Sequence, residues 1–354
     1  MTTAKARSRC REQLEQLGGS SLDSESLRRE ALQELRRVIG FDRWCWPLAD
    51  PETLLPLGGI ADHDYVPGLP RALELEYSGT DFAAKHVLAR RPHPASSLGT
   101  ETHGDLARSP RWDEVMRPVG MGDVATAACR DALGCWGWIE AYRDRADTMF
   151  DEDDLALLAH AGNTLGPALR RTAISSDTAM TTEPRPPGVL VLDSELQLVS
   201  ATAGARAWLD VMPAGKLAAL FGILPAVVYP AATLARIRTD GSGARALARA
   251  VDGPWMMIDA ARLEGRGNGD VAVSLREATA TETFDYLSRV YALTPRERAV
   301  VSALLAGLDT KGVAQRLYIS SHTVQDHLKS VFEKVGVHSR RELLARLRPT
   351  REPQ

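Results

Sequence analysis

The sequence predicts a multidomain chain in which two α+β domains, each an antiparallel sheet with helices, precede an all-α domain of four helices. Its 354 residues suggest two or three domains, since a domain averages roughly 150 residues. Strand-like and helix-like segments alternate through residues 1–280, whereas residues 292–348 show helical periodicity alone. Residues 174–187 are rich in Ser, Thr and Pro, which is typical of a linker between domains.

The first α+β domain is predicted over residues 1–173. Apolar residues at helical spacing, such as Leu27, Ala31 and Leu35, indicate helices near its start. The predicted elements are two helices within residues 7–39, strands at Phe41–Leu48 and Thr53–Ile60, helices at Leu69–Tyr77 and Asp81–Arg90, a loop at Arg91–Pro94, strands at Asp123–Ala128 and Cys135–Tyr142, and a helix at Phe150–Arg171. Asp131–Gly134 is expected to be the turn of a closing hairpin.

The second α+β domain is predicted over residues 188–280. Its elements are strands at Gly188–Leu192 and Leu196–Ser200, helices within residues 203–238, and strands at Ala244–Val251, Trp255–Leu263 and Asp270–Arg276. Turns are expected at Asp193–Glu195 and Gly265–Gly269. Two strands, then helices, then three strands imply an antiparallel sheet. A connecting helix at residues 281–291 is expected to lead into the last domain.

A long uncharged segment raises the question of a membrane span. Leu217–Ala235 has 19 residues without charge, close to the ~20 that cross a bilayer. Pro225 and Pro230 interrupt a regular helix there, so we expect a buried core segment and no membrane contact. The polar N-terminus lacks the apolar stretch of a signal peptide, and four scattered cysteines do not suggest a disulfide framework. These features predict a reduced, cytoplasmic protein.

Charge is distributed unevenly along the chain. The whole sequence carries −3, yet residues 290–348 contain ten basic and five acidic residues, a net +5, which leaves −8 for residues 1–289. A basic module attached to an acidic body is typical of a local phosphate-binding surface.

The last domain, residues 292–348, has strong helix boundaries. Its signals are a capping box with proline at Thr294–Glu297, Asp309 as a second helix cap, a short turn at Tyr318–Ser320, Gly336 as a helix end, and a second capping box at Ser339–Glu342. In the third helix, one apolar stripe is formed by Val324, Leu328, Val331 and Val335. A three-residue turn before this helix indicates a helix-turn-helix layout.

If the stripe packs inward, the opposite face of the third helix is polar and available to DNA. We predict base contacts from Gln325, Asp326 and Lys329, because Gln can bond adenine, Asp can accept from the cytosine amino group, and Lys can reach guanine or phosphate. Phosphate contacts are predicted for Ser320, Ser321, His322, Thr323, Lys334 and Arg340. The alternative is an ordinary helical bundle with a solvated polar face.

The sequence of this domain resembles that of the C-terminal DNA-binding domain of LuxR-type regulators. The resemblance rests on Leu293–Arg298, Gly307-Leu308, Val313–Leu317, Ile319-Ser320, Thr323-Val324, His327-Leu328, Lys334–Val337 and Arg340. It implies a homodimer on paired half-sites of double-stranded promoter DNA, with the fourth helix as a pairing surface and RNA polymerase as a partner. Asp326 departs from the basic or amide residues frequent at its position, and Gly312 departs from the usual helix former.

The two preceding domains resemble sensors in their layout. Residues 1–173 resemble a GAF-type domain, with helices, an antiparallel sheet, a closing hairpin and a long last helix. Residues 188–280 resemble a PAS-type domain, through Gly188–Asp193, Val199–Thr202 and Trp208 at the start and Val271–Arg276 at the end. The resemblance implies that an unidentified small molecule or protein effector gates DNA binding.

Two tryptophan pairs are the candidate wall of a ligand pocket. Trp44 and Trp46, and likewise Trp136 and Trp138, are two residues apart on predicted strands, which places each pair on one face. Such a wall lines an apolar pocket or fills the core, and core packing is the favoured interpretation.

No motif in the sequence indicates a cofactor, a metal or an enzyme. Walker A, Gly-x-Ser-x-Gly and CxxC patterns are absent, and the histidines lack ligand spacing. We therefore expect a non-enzymatic regulator. Two alternatives stay open: a catalytic N-terminal domain localised by its helix-turn-helix, and a helix-turn-helix used only to bind protein.

Overall fold

A computed structural model describes residues 4–62, 68–175, 185–213, 218–219, 222–238, 240, 242–251, 253–264 and 269–347. The predicted linker therefore lies largely outside the described residues, as do most of the turn Gly265–Gly269 and part of Leu217–Ala235. Among the described residues, no helix is both long and apolar enough to cross a membrane.

The first part of the chain forms a five-stranded antiparallel sheet with helices. The elements in chain order are α1 (Ala4–Gly19), α2 (Ser24–Ile39), β1 (Arg43–Ala49), β2 (Pro56–Ala61), α3 (Leu69–Tyr77), α4 (Lys85–Leu88), β3 (Ala95–Ser97), α5 (Leu98–Glu101), three short helical turns within residues 106–119, β4 (Met121–Asp131), β5 (Gly134–Asp144) and α6 (Glu152–Ser175). The strand order is β2-β1-β5-β4-β3.

The second part forms another five-stranded antiparallel sheet. Its elements are β6 (Gly188–Leu192), β7 (Leu198–Ala201), α7 (Ala203–Leu209), α8 (Val228–Ile237), β8 (Ala244–Arg249), β9 (Trp255–Arg262) and β10 (Val271–Glu277). The order β7-β6-β10-β9-β8 repeats that of the first sheet, with the first and last strands adjacent at the centre. Both predicted antiparallel sheets are therefore confirmed.

The helical remainder follows the predicted boundaries closely. It comprises α9 (Ala280–Val290), α10 (Pro295–Leu305), α11 (Thr310–Leu317), α12 (Ser321–Val335) and α13 (Arg340–Leu347). Thr294 and Glu297 form the reciprocal capping box at the start of α10, and Asp309 caps α11 by accepting from the backbone N–H of Gly312 at 2.8 Å. Gly336 ends α12 in the left-handed conformation.

Helix α6 packs closely on one face of the first sheet because two glycines allow it. A Cβ on Gly162 would lie 2.3 Å from the carbonyl oxygen of Ala128, and one on Gly166 would lie 2.4 Å from that of Arg130. Helices α1 and α2 complete this layer, and their apolar residues join one continuous core. That core extends through α9 into the last domain, so the three parts share packed apolar contacts.

In the first domain one predicted helix is largely wrong, and one strand was not predicted. Of the predicted helix Asp81–Arg90, only α4 (Lys85–Leu88) is helical. Ala83 adopts a left-handed φ of 52°, which interrupts a helix. Asp81 forms an ion pair with Arg111 at 2.7 Å. Strand β3 follows the loop at Arg91–Pro94 and was not predicted. It is three residues long and carries no hydrophobic alternation.

The prediction that Trp136 and Trp138 share a face is also wrong. The register of β4 against β5 shifts between Cys129 and Arg130, which adds one residue to β5 at this point. Trp136 consequently packs in the core beneath α6, whereas Trp138 packs in a separate cluster on the other face with Ala128. A bulge reverses the alternation on which the prediction depended.

Candidate nucleic-acid interface

Helix α12 is anchored by the predicted apolar stripe. Val324 and Val331 are fully buried, and Leu328 and Val335 are nearly so. Their partners include Val300, Val301 and Leu304 on α10 and Val313 on α11, all with no exposed surface. The core of the last domain therefore fixes how α12 is rotated about its axis, and so which of its side chains face outward.

The outward face of α12 carries the three predicted base-contacting residues. Gln325, Asp326 and Lys329 are exposed, and they lie on the side of the helix opposite Val324 and Leu328. The structure thus brings these three side chains onto one surface. An amide, a carboxylate and an ammonium group together provide donors and acceptors that match base edges.

The start of α12 holds four of the predicted phosphate contacts, and three of them already have partners: the hydroxyls of Ser320 and Thr323 lie 2.9 Å apart, and His322 pairs with Asp326. The hydroxyl of Ser320 caps the helix by accepting from the backbone N–H of Thr323 at 3.1 Å. Nδ1 of His322 lies 3.0 Å from Oδ2 of Asp326, one helical turn on. Ser321 is exposed, and Thr323 is partly exposed.

The other two predicted phosphate contacts bond within the domain. The ammonium group of Lys334 donates to Glu297 at 2.6 Å and to the carbonyl of Ala292 at 3.3 Å. Arg340 donates to the carbonyl of Leu308 at 2.7 Å. The Lys334 bond to Glu297 links α12 to α10, and the Arg340 bond links α13 to the loop between α10 and α11.

Glu297 is the centre of a hydrogen-bond network that sequence reasoning missed. Besides Lys334, its carboxylate accepts from the hydroxyl of Ser330 at 2.7 Å and from the backbone N–H of Thr294 at 2.7 Å. Burial raises the pKa of Glu297, but these hydrogen bonds outweigh burial and lower the pKa from 4.5 to about 2. The capping box at Thr294 was the available signal. The link to α12 depends on tertiary packing.

Tyr318 is a second feature that the sequence did not reveal. It ends α11 in the left-handed conformation, with φ 55° and ψ 45°, where Gly or Asn is usual. Its side chain is 95% exposed. An aromatic ring in this position adds to the outer surface just before α12.

The four tryptophans of the predicted pocket are buried in the first domain. Trp46 and Trp138 have no exposed surface, and Trp44 and Trp136 are at most 8% exposed. A cleft of about 520 Å³ lies nearby, between the β4–β5 hairpin and α9, and its lining includes Arg90, Arg130 and Arg289 but none of the four tryptophans. The pocket that they were predicted to line stays a prediction.

A buried charged cluster lies on the opposite face of the first sheet. Lys85 bonds Glu76 at 2.7 Å and Glu140 at 2.8 Å, and all three side chains are at most 7% exposed. Burial lowers the pKa of Lys85, but the two carboxylates outweigh it and hold the pKa above its ordinary value. Sequence reasoning missed this cluster because its members come from α3, α4 and β5.

Helix α9 contacts both sheets on its way to the last domain. The ring of Tyr286 lies 4.9 Å from Trp255 on β9 and 6.4 Å from Trp136 on β5, measured between ring centroids. Arg170 of α6 donates to the carbonyl of Val290 at the end of α9, at 2.8 Å. The position of α9 therefore depends on both α+β domains.

Together these elements define the class of the last domain as a helix-turn-helix. Residues 291–347 match the family model described as bacterial regulatory proteins, luxR family. The match is confined to this domain.

Several curated proteins are similar to the same region. An HTH-type transcriptional regulator of Mycobacterium tuberculosis is 48% identical over 52 residues, 15% of this chain and 6% of the relative. The nitrate/nitrite response regulator protein NarL of Escherichia coli is 40% identical over 72 residues, 20% of this chain and 32% of NarL. The transcriptional regulatory protein FixJ of Rhizobium meliloti is 40% identical over 63 residues, 18% of this chain and 31% of FixJ. The chain thus matches less than a third of the length of each of these relatives.

One comparison extends over the earlier domains. The crystal structure of the E. coli DhaR(N)–DhaL complex aligns with 78% of this chain and 91% of that chain, at 14% identity and a TM-score of 0.24. A score this low supports no conclusion about the fold.

Proposed function

We propose that this protein is a sequence-specific, DNA-binding transcription regulator that acts by binding and not by catalysis. One observation carries the proposal: Gln325, Asp326 and Lys329 are exposed together on a helix whose other face is locked into the core of a helix-turn-helix. The luxR-family match and the relatives' names as transcriptional regulators support it.

Helix α12 would enter the major groove with its first two turns facing the bases. Gln325 would bond adenine and Lys329 would bond guanine or a phosphate. Ser321 and Thr323 would contact phosphates together with backbone N–H groups of the first turn. Lys334 and Arg340 would support the helix from within the domain, because both side chains already have partners there.

The test compares full-length wild type with Lys329→Ala on promoter DNA across a salt series. Lys5→Ala is the matched control, because Lys5 is an exposed lysine on α1 and its loss changes the net charge equally. We expect Lys329→Ala to weaken binding and to reduce the slope of log affinity against log salt by about 0.9. Equal specific binding by wild type and Lys329→Ala would refute the assignment of α12.

We further propose that the two α+β domains, GAF-like at residues 1–173 and PAS-like at residues 188–280, sense a small-molecule or protein effector. The packing of Tyr286 between Trp136 and Trp255 supports a mechanical link from both sheets to α9. Tyr286→Ala should change DNA affinity although it lies away from the DNA surface, and Tyr286→Phe, which keeps the ring, should not. Unchanged affinity in both variants would argue against this link.

The luxR-type domain also supports a homodimer on paired half-sites, with α13 as the pairing surface. Leu343 and Leu347 face the domain core, which leaves Arg341 and Ala345 outward. Sedimentation of full-length wild type and Ala345→Glu, with and without operator DNA, tests this pairing. RNA polymerase is the proposed downstream partner, and transcription from a bound promoter in vitro, with and without the protein, tests its response.

A further inference from the structure

His322 and Asp326 form a pair on the outward face of α12. Nδ1 of His322 lies 3.0 Å from Oδ2 of Asp326, and the two side chains are 84% and 66% exposed. A carboxylate accepts and does not donate, so Nδ1 of His322 carries the hydrogen of this bond. Since the pair is four residues apart on one helix, both side chains extend from the surface that carries Gln325 and Lys329.

The chemistry of Asp326 restricts the bases that it can read. In the major groove, only the amino groups of cytosine and adenine donate hydrogen bonds. Adenine places the acceptor N7 beside its amino group, and a second carboxylate oxygen would be repelled there. Cytosine itself carries no acceptor beside its amino group in the groove, so it is the base that best fits a carboxylate.

His322 determines which oxygen of Asp326 remains free. Its bond to Oδ2 leaves Oδ1 available to accept from a base. The bond also restrains the rotamer of an exposed side chain, which lowers the entropy lost when Asp326 orders on DNA. With Nδ1 bonded to Asp326, only Nε2 of His322 remains for the predicted phosphate contact.

We propose that His322 and Asp326 read a cytosine as one unit: Asp326 accepts from the cytosine amino group, and His322 is the positioning residue that orients the carboxylate. This inference rests on the proposed function of α12 as the helix that reads DNA. It reassigns His322 from the phosphate backbone to the recognition of a base.

The experiment first selects bound duplexes from a random pool with the full-length wild type, and then measures affinity for the enriched duplex. The variants are Asp326→Asn, His322→Ala and His322→Asn, whose amide N–H can donate in place of Nδ1. Glu333→Gln is the matched control, because Glu333 is an exposed carboxylate later on the same helix. All of these side chains are exposed, so we expect the variants to fold as the wild type does.

We expect the enriched sites to contain a cytosine whose replacement weakens wild-type binding by about tenfold, as a lost base contact typically does. Asp326→Asn should lose this discrimination and keep it at other positions. His322→Ala should lose most of it, His322→Asn should restore it, and Glu333→Gln should match wild type.

Two results would overturn the inference while leaving DNA binding intact: cytosine discrimination that persists in Asp326→Asn, or wild-type discrimination in His322→Ala. A pool from which the wild type enriches no sequence would instead overturn the proposed function, and this inference with it.

Discussion

Replacing Glu297 by Gln tests whether the buried carboxylate holds α10 to α12. The side chain is 5% exposed and accepts hydrogen bonds from Lys334, Ser330 and Thr294. The fall of its pKa from 4.5 to about 2 corresponds to about 3 kcal/mol of extra stability for the ionised form in the folded domain. Because Gln keeps the shape of the side chain but loses its charge, we expect the free energy of unfolding of the last domain to fall by about 2–3 kcal/mol.

Hydrogen exchange measured by mass spectrometry on the full-length chain reports this loss locally. Amides of α10 and α12 should exchange faster in Glu297→Gln than in wild type, whereas those of the first sheet should not change. The matched control is Glu333→Gln, which removes an exposed carboxylate from α12. Unaltered exchange in α10 and α12 would refute the view that Glu297 stabilises this contact.

The stabilisation that the ionised carboxylate of Glu297 provides depends on pH. The folded-state pKa of Glu297 lies below the ordinary value, so its stabilisation is present above about pH 4.5 and is lost as the pH falls toward about 2. The difference between wild type and Glu297→Gln should therefore shrink on acidification. A difference that stays constant down to about pH 2.5 would show that charge is not its source.

Three further predictions concern side chains whose partners the structure defines. Lys334→Met should leave the salt dependence of DNA binding unchanged in an anisotropy titration, because its charge is already paired within the domain; a slope reduced by about 0.9 would instead identify a phosphate contact. Lys85→Met should destabilise the first domain by about 3–5 kcal/mol, since it removes the buried ammonium group that bonds both Glu76 and Glu140 and leaves Arg111 at 3.7 Å as the remaining cation beside Glu76; hydrogen exchange in β5 measures this loss, and wild-type protection there would contradict it. Tyr318→Gly should raise thermal stability by about 1 kcal/mol, because glycine adopts the left-handed conformation without strain; a lower melting temperature would show that the phenol ring makes a stabilising contact.

Except for β3, the strands of the two sheets were predicted well, because each carries a recognisable run of residues bounded by turns. Gly188–Leu192 matches β6 without any shift, and Leu69–Tyr77 matches α3. Predictions failed where a long-range contact replaced a local preference. The pairing of Asp81 with Arg111 is one case, since those residues are far apart in the chain.

In the candidate interface too, some features were predictable from the sequence and others were not. The stripe of α12 and the exposure of Gln325, Asp326 and Lys329 were predictable, because one helix with one apolar side has only one way to face a core. The partners of Lys334 and His322 were not predictable. A side chain with several donors or acceptors bonds whatever group packing brings within reach.

The sequence by itself determined the helices of the last domain, because caps, glycine ends and apolar spacing act within a few residues of the chain. It also determined that two antiparallel sheets precede that domain. Only the tertiary structure decided that a bulge separates Trp136 from Trp138, that Lys334 bonds Glu297, and that Tyr286 of α9 contacts both sheets. These features depend on register and on the distances between elements, and neither is encoded in local spacing.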